Sequence, residues 1–323
     1  MPRVSIAMPV YNGEEFVGGA VESLLVQTFT DFELVVVDNA STDRTQEICR
    51  SLAARDARVR YVRNDRNIGG GPNWIRAFEL TGTSTYFKWA AHDDIHAPTF
   101  LELCVASLDR DPGAVLAFTR AAFVDRDGRP VAPRQLTLPL GSADVLERYE
   151  ALLPSYDCLE VFGVIRRAAL RRRPPIGLYM DADGVMLGGL ALLGRFVEVP
   201  EVLFFNRRHA AQATTRFTRS HREWSLWWNP ANAGRRVYPV WRRHLELWRT
   251  LLDAPLSFRD RVRCGRALAR WTRWSRWKLL QDLTFYWKGV PPPTAGANGP
   301  DPGGTGNAAM ADRERPGRGA PPA

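Results

Sequence analysis

Phe32-Glu33-Leu34-Val35-Val36-Val37-Asp38-Asn39 is the stretch that decides the fold. Four apolar residues in succession, three of them β-branched, suit a strand covered on both faces, and a carboxylate stands where the run stops. The flanking sequence fits that reading. Val4–Val10 is a second strand candidate, ending in Pro9-Val10-Tyr11-Asn12-Gly13. Between the two runs Phe16, Ala20 and Leu24, with Val17, Val21 and Leu25, recur at four-residue steps and predict a helix. Beyond Asp38, Asp43 reads as a helix N-cap with Gln46 as its capping-box partner. Val59–Arg63, Tyr86–Ala91 and Ala114–Val124 are further strands, Pro72 opens a helix running to Leu80, and Phe196–Phe205 is a β-like run broken by Pro200. Strands alternating with helices at this spacing predict a parallel sheet with right-handed crossovers.

Ligands of such sheets sit at the carboxyl ends of the strands. Three polar clusters fall there: Tyr11-Asn12, Asp38-Asn39 and His92-Asp93-Asp94. Asp38 offers an acceptor for a base imide or a ribose hydroxyl, and Tyr11 a ring face for stacking. Adjacent carboxylates such as Asp93 and Asp94 repel unless a cation offsets them. Hard Mg²⁺ or Mn²⁺ suits carboxylates and diphosphate oxygens together. The loop Asn67-Ile68-Gly69-Gly70-Gly71-Pro72-Asn73 lacks both the Walker and the dinucleotide spacing. Its glycines would let a phosphate approach the backbone, and a plain flexible loop fits them equally.

In order and spacing, Pro9-Val10-Tyr11-Asn12-Gly13-Glu14, Val37-Asp38-Asn39-Ala40-Ser41-Thr42-Asp43, Asn67-Ile68-Gly69 and His92-Asp93-Asp94 resemble the successive motifs of family 2 glycosyltransferases. The resemblance is strong over residues 3–125. It extends to about residue 209 through Asp183 and Gly194-Arg195-Phe196-Val197-Glu198-Val199-Pro200. It implies an α/β fold of GT-A type: a Rossmann-like, mostly parallel central sheet flanked by helices. It also implies an inverting mechanism and a nucleoside-diphosphate sugar as donor. Position by position, Tyr11 and Asp38 match the nucleoside-binding pair, Pro9 and Asn12 line the same pocket, and Asn67 stands near the nucleotide. Asp93 and Asp94 match the metal and diphosphate motif, with His92 where a first aspartate can stand. Asp183 matches the catalytic base, with Asp181 as its fallback. His209 matches a basic ending that contacts diphosphate or metal, beside Arg208. A Gln-x-x-Arg-Trp motif is missing near there, so transfer of one sugar is expected rather than processive synthesis.

Composition divides the rest. The chain carries a net charge of +9, but residues 1–206 hold 22 basic and 27 acidic side chains. Residues 207–288 hold 19 basic and 5 acidic ones, with nine of the eleven tryptophans. That partition excludes a uniformly basic nucleic-acid coat. The reading is therefore a catalytic domain over 1–210 (nucleotide-binding half 1–125, acceptor half 126–210) and a helical, basic, Trp-rich extension over 211–289. Residues 290–323, with eight Pro, seven Gly and no aromatic residue, are expected to be disordered. In the extension Trp271, Trp274 and Trp277 recur every third residue among arginines. They either pack on the catalytic domain or form an interfacial amphipathic helix on anionic lipid, with nucleic acid the weakest of the three readings. A membrane-docked face would bring the enzyme to a lipid-linked acceptor; a glycan is the other acceptor expected.

No apolar run reaches membrane-spanning length, and the N-terminus enters a strand pattern directly. Cys49, Cys104, Cys158 and Cys264 form no metal-type pair. A cytoplasmic protein with reduced thiols is expected, peripheral on the inner face of the membrane if the basic segment binds lipid. The function expected is assembly of a cell-surface glycan or polysaccharide. The competing readings are a sugar-phosphate nucleotidyltransferase, which normally has a basic Gly-rich loop after the first strand, and a non-catalytic sugar-nucleotide or membrane-binding protein.

Overall fold

The computed structural model describes residues 1–154, 157–170, 176–210, 212 and 221–285. The expected disordered tail at 290–323 and the Pro/Arg-rich stretch at 171–175 lie outside the described residues. Strands β1 (Val4–Val10), β2 (Phe32–Asp38), β3 (Val59–Arg63) and β4 (Tyr86–Trp89) pair in parallel in the order β3-β2-β1-β4. Helices α1 (Val17–Leu25), α2 (Thr45–Arg55) and α3 (Gly70–Leu80) lie between them in the chain. The two-faced burial foreseen for β2 is observed. Leu34 and Val36 join one core with α1, α2 and α4 (Phe100–Arg110), while Val35 and Val37 join the other with Ala77, Phe87 and Trp89.

The sheet continues through β8 (Val164–Arg166), β6 (Ala114–Val124), β9 (Arg195–Arg207) and β5 (Ile95–His96), with β7 (Pro130–Pro133) paired to β6. β8 is antiparallel to both β4 and β6, so β6 and its parallel partner β9 run in the direction of β4. The carboxyl ends of β1, β2, β4, β6 and β9 therefore share one edge. The short strands β5, β7 and β8 have no legible period in the sequence, and they supply the antiparallel pairs of a sheet that is otherwise parallel, in keeping with the mostly parallel GT-A type sheet expected.

Three local expectations need correction. Asp43 does not build a capping box with Gln46; its Oδ1 accepts from the Thr45 amide and hydroxyl, and α2 starts at Thr45. α3 begins at Gly70, two residues before Pro72, since a proline is tolerated in a first turn. β9 is not interrupted at Pro200. Thr119 pairs with Val199 and Arg120 with Val202, so Pro200 and Glu201 are accommodated as an irregularity where no ladder amide is needed.

The C-terminal helices Pro239–Asp253 and Phe258–Trp274 pack on α5 (Val145–Ala151) and, past the short α6 (Arg167–Leu170) in the chain, on α7 (Ala182–Leu193). Tyr149, Val185, Leu192, Leu247, Leu251, Cys264 and Leu268 form this third core. The tryptophans divide: Trp271 stacks on His244 with ring centroids 4.2 Å apart, whereas Trp274 and Trp277 are exposed. All four cysteines are buried free thiols. Among the described residues no helix is long and apolar enough to cross a membrane.

Candidate functional site

Asp38 ends β2 with its side chain fully buried. Its Oδ1 accepts from the Ser41 amide at 2.8 Å, its Oδ2 accepts from the Tyr61 hydroxyl at 2.6 Å, and Arg63 lies 3.5 Å from Oδ2. Tyr61 was not singled out in the sequence. Register explains its place: Val36 pairs with Tyr61 and Asp38 with Arg63, so β3 brings both toward the carboxylate. Burial, then the hydrogen bond to Asp38, push the Tyr61 hydroxyl well above its ordinary pKa.

Tyr11 stands just beyond β1 with 41% of its surface exposed, and Pro9 is buried in the strand. Asn12 takes a left-handed conformation (φ 50°) that asparagine tolerates, and its Oδ1 accepts from the Thr42 amide at 2.9 Å. Ala40 is also left-handed (φ 62°), a conformation that costs an alanine of order 1–3 kcal/mol and is concentrated at functional sites. Asn67 does not point away from this loop. Its Oδ1 accepts from Asn39 Nδ2 and from the Gly69 amide, both at 2.9 Å. Asn64 donates to both Asn39 and Asn73, and Asn73 donates to the Val37 carbonyl. This amide network, of which the sequence reading named all but Asn64, sets the loop behind Asp38.

At the end of β4, Asp93 and Asp94 face different partners. Asp93 Oδ2 lies 2.9 Å from His209 Nε2, beyond the end of β9, with both side chains about one-tenth exposed. Burial works to raise the Asp93 pKa, but the His209 hydrogen bond and neighbouring histidine charge hold it below its ordinary value. Asp94 turns inward. Its Oδ1 accepts from Asn206 Nδ2 at 3.0 Å and the Arg207 amide at 2.9 Å, while Oδ2 is buried without a partner. Burial, then the Asp93 charge, raise the Asp94 pKa. Arg207 escaped the sequence reading. Its Nε donates to the Asp93 carbonyl, its guanidinium lies 4.9 Å over Phe16, and that ring packs 4.7 Å from His209. Arg208, on the alternate side, lies over Phe123. Gly13 closes the group: a Cβ there would stand 2.6 Å from His92 Cδ2. Lys88, buried in β4, has its pKa lowered to about 7 by burial and donates to the Phe162 carbonyl.

The glycine-rich loop is not a phosphate cradle here. A Cβ on Gly69 (φ 94°) would overlap Pro230, one on Gly70 would meet Trp227, and one on Gly71 would stand 2.9 Å from Trp228. Trp228 Nε1 donates to the Gly177 carbonyl at 2.9 Å, and its ring joins Trp74. The glycines make room for tryptophans from the basic segment.

Asp183 lies in the first turn of α7 and accepts from the Gly184 amide at 2.9 Å. A Cβ on Gly184 would be 3.7 Å from Cys158 Sγ. Cys158 precedes the turn Leu159–Phe162 that leads into β8. Because β8 is antiparallel, its first residue lies at the edge where β4 ends, which is the edge Asp183 adjoins. Among the described residues no hydrogen bond or ion pair joins Asp183 to Asp38, Asp93 or His209. Burial, then the neighbouring Asp181, raise the Asp183 pKa to about 6, near the range of a working general base. Asp181 is left-handed (φ 56°) and 3.7 Å from Arg243 Nε of the Pro239–Asp253 helix.

A parallel-edged α/β sheet with carboxylates at the ends of β2 and β4 and a basic strand end opposite defines a GT-A type fold. Staphylococcus aureus TarS 1–349, solved with UDP, superposes with a TM-score of 0.60 over 89% of this chain and 75% of that one at 18% identity. The chain belongs to glycosyl transferase family 2, whose family model matches residues 5–177. It is similar to a chondroitin synthase of Escherichia coli, 33% identical over 132 residues that make up 41% of this chain and 19% of the synthase. It is also similar to the uncharacterized glycosyltransferase EpsJ of Bacillus subtilis, 44% identical over 95 residues, 29% of this chain and 27% of that one. The chain thus spans under a third of the length of either relative. Glycosyl transfer, not nucleotidyl transfer, is the chemistry that names this family.

Proposed function

We propose that this enzyme moves a single hexose from a nucleoside-diphosphate sugar to an acceptor hydroxyl, with inversion, in the assembly of a cell-surface glycan or polysaccharide in the cytoplasm. The observation that carries the reading is the meeting of Asp93 with His209 on the far side of β1 from the buried, triply contacted Asp38. Asp38 would receive the nucleoside and Tyr11 would stack on its base, with Pro9, Asn12 and Asn67 shaping the loop around it. TarS, which shares the fold, has been solved with UDP and with UDP-GlcNAc, so uridine nucleotides head the list to test.

A divalent ion fits the donor set. One carboxylate oxygen and one imidazole nitrogen converge at 2.9 Å, and the neighbouring Asp94 Oδ2 is buried without a partner. Among the described residues no cluster of three His, Cys, Asp or Glu side chains forms, so remaining ligands would be diphosphate oxygens and water. Mg²⁺ or Mn²⁺ held by Asp93 and His209, with the Asp94 carboxylate beside them, would neutralise charge developing on the leaving diphosphate. Arg207 holds the Asp93 main chain in place from behind. Asp183 would take the acceptor proton, with a carboxyl whose elevated pKa lets it both accept and release one near neutrality. A glycan or lipid-linked acceptor would enter from the α7 side.

The test is a thermal-shift panel of UDP, GDP, dTDP and CDP with and without Mn²⁺. One nucleotide should raise the melting temperature, and more so with the ion. No shift with any of them would defeat the donor assignment, and a shift without sugar turnover would favour a non-catalytic binding protein.

A further inference from the structure

We propose that the outward surface of the last two described helices docks on an anionic phospholipid membrane. Trp274 and Trp277 are 70% and 65% exposed, although each indole carries a large apolar area. In the helix Arg276–Phe285, Leu279 and Asp282 are buried. At about 100° per residue the opposite side is Trp277 and Leu280, flanked by Arg276 and Lys278. In the helix Phe258–Trp274, Cys264, Ala267 and Leu268 face inward, which turns Arg266, Arg270 and Arg273 outward.

The charges on this face are available. Arg270 reaches Glu150, but Arg266, Arg273, Arg276 and Lys278 have no carboxylate partner among the described residues. The two acids of the helix pair are engaged elsewhere: Asp260 with Ser257 and Arg263, and Asp282 with the amides of Val240 and Trp241. Arg273, Trp274, Arg276 and Trp277 together line a surface groove. Indoles at headgroup depth with guanidinium groups on lipid phosphate are the composition of an interfacial surface. Leu280 and Leu283, 48% and 39% exposed, extend the apolar face past the rings. A nucleic acid offers phosphates and stacking bases but no hydrocarbon for these leucines. The lipid surface is therefore the occupant the face fits.

The position of the face gives docking a use. Trp271, one turn before Trp274, lies 4.7 Å under the Arg243 guanidinium, which in turn reaches Asp181 at the start of α7. The docking helices thus abut the edge assigned to the acceptor, and a lipid-linked acceptor would be presented there. Docking itself stands independently of the transfer chemistry.

Co-sedimentation of the full chain with phosphatidylcholine vesicles, with and without phosphatidylglycerol, tests the proposal. Pelleting is expected only with phosphatidylglycerol and should weaken as salt rises. Arg273→Gln and Arg276→Gln should each lower vesicle affinity about fivefold, and the two are combined in one double variant. Trp274→Ala with Trp277→Ala should lower it at least about tenfold. Both double variants keep the wild-type melting temperature, because the side chains are exposed. No pelleting at low salt, equal pelleting of the tryptophan variant, or competition by a single-stranded oligonucleotide that binds more tightly than the vesicles would overturn it.

Discussion

Replacing Asp183 by asparagine should stabilise the protein while stopping transfer. The carboxyl has an ordinary pKa of 3.8 and is raised to about 6 in the fold, chiefly by burial and next by Asp181. A folded-state pKa above the unfolded one means that the native state binds more protons between about pH 4 and pH 6. Stability therefore falls as pH rises through that window and stays lower above it. A shift of about two units corresponds to ~3 kcal/mol. Water reaching the partly exposed side chain makes this an upper bound, and roughly 1–3 kcal/mol is the expected range. Asparagine keeps the acceptor for the Gly184 amide and carries no charge. Urea denaturation of wild type and Asp183→Asn at pH 8 and pH 4 reads the difference directly. The variant should be more stable at pH 8, and most of the gain should disappear at pH 4, where the wild-type carboxyl is protonated in the folded state and close to half protonated in the unfolded one. A variant no more stable than wild type at pH 8, or a gain independent of pH, would refute the reasoning about this carboxylate.

Other predictions concern the remaining site. Asp93→Asn and His209→Ala should each weaken Mn²⁺ binding at least about tenfold, measured by electron paramagnetic resonance in the presence of the nucleotide; unchanged binding would remove both from the ion. EDTA should stop donor turnover and added Mn²⁺ or Mg²⁺ restore it, and turnover that persists in EDTA would point to a metal-independent enzyme. Tyr61→Phe leaves one oxygen of the buried Asp38 short of a donor, so a loss of about 1–3 kcal/mol in urea is expected, with weaker nucleotide binding; no change in either would show that the hydroxyl is dispensable. Gly69→Ala adds a Cβ into Pro230 at a left-handed φ and should cost at least about 1 kcal/mol in the same assay.

Much of the fold is written in runs whose period is local. β1, β2, β3 and β6 have the bounds that the sequence predicts, because β1, β2 and β6 are mostly apolar runs and β3 alternates apolar residues with arginines, each a local signal. β8 is three residues long and β5 two, too short to have a period, and their pairing depends on partners far along the chain. The same distance hides site chemistry. Asp38 announces itself at the end of a buried run, but Tyr61 is tied to it only through the β2–β3 register. Gly69-Gly70-Gly71 suggests a ligand cradle until Trp227, Trp228 and Pro230, more than 150 residues later in the chain, occupy it. At the end of β9, alternation puts Arg207 and His209 on the side of Asp93 and Arg208 over Phe123 on the other, so the contact of Arg207 with Asp93 depends on a pairing that the local sequence does not display. The Trp-rich segment divides in a way its three-residue spacing does not announce: Trp271 packs inward, while Trp274 and Trp277 remain on the surface.

The central claim is that the edge formed by the ends of β1, β2, β4 and β9 binds the donor nucleotide. Calorimetric titration of the stabilising nucleoside diphosphate with Mn²⁺ tests it against two variants. Asp38→Asn lies at that edge, and Asp111→Asn, paired with Arg195 where β9 starts, lies at the opposite one. The account predicts at least about a tenfold rise in Kd for Asp38→Asn, from one lost charge-assisted hydrogen bond, and an unchanged Kd for Asp111→Asn. Equal Kd values for wild type and Asp38→Asn, or a loss confined to Asp111→Asn, would contradict it.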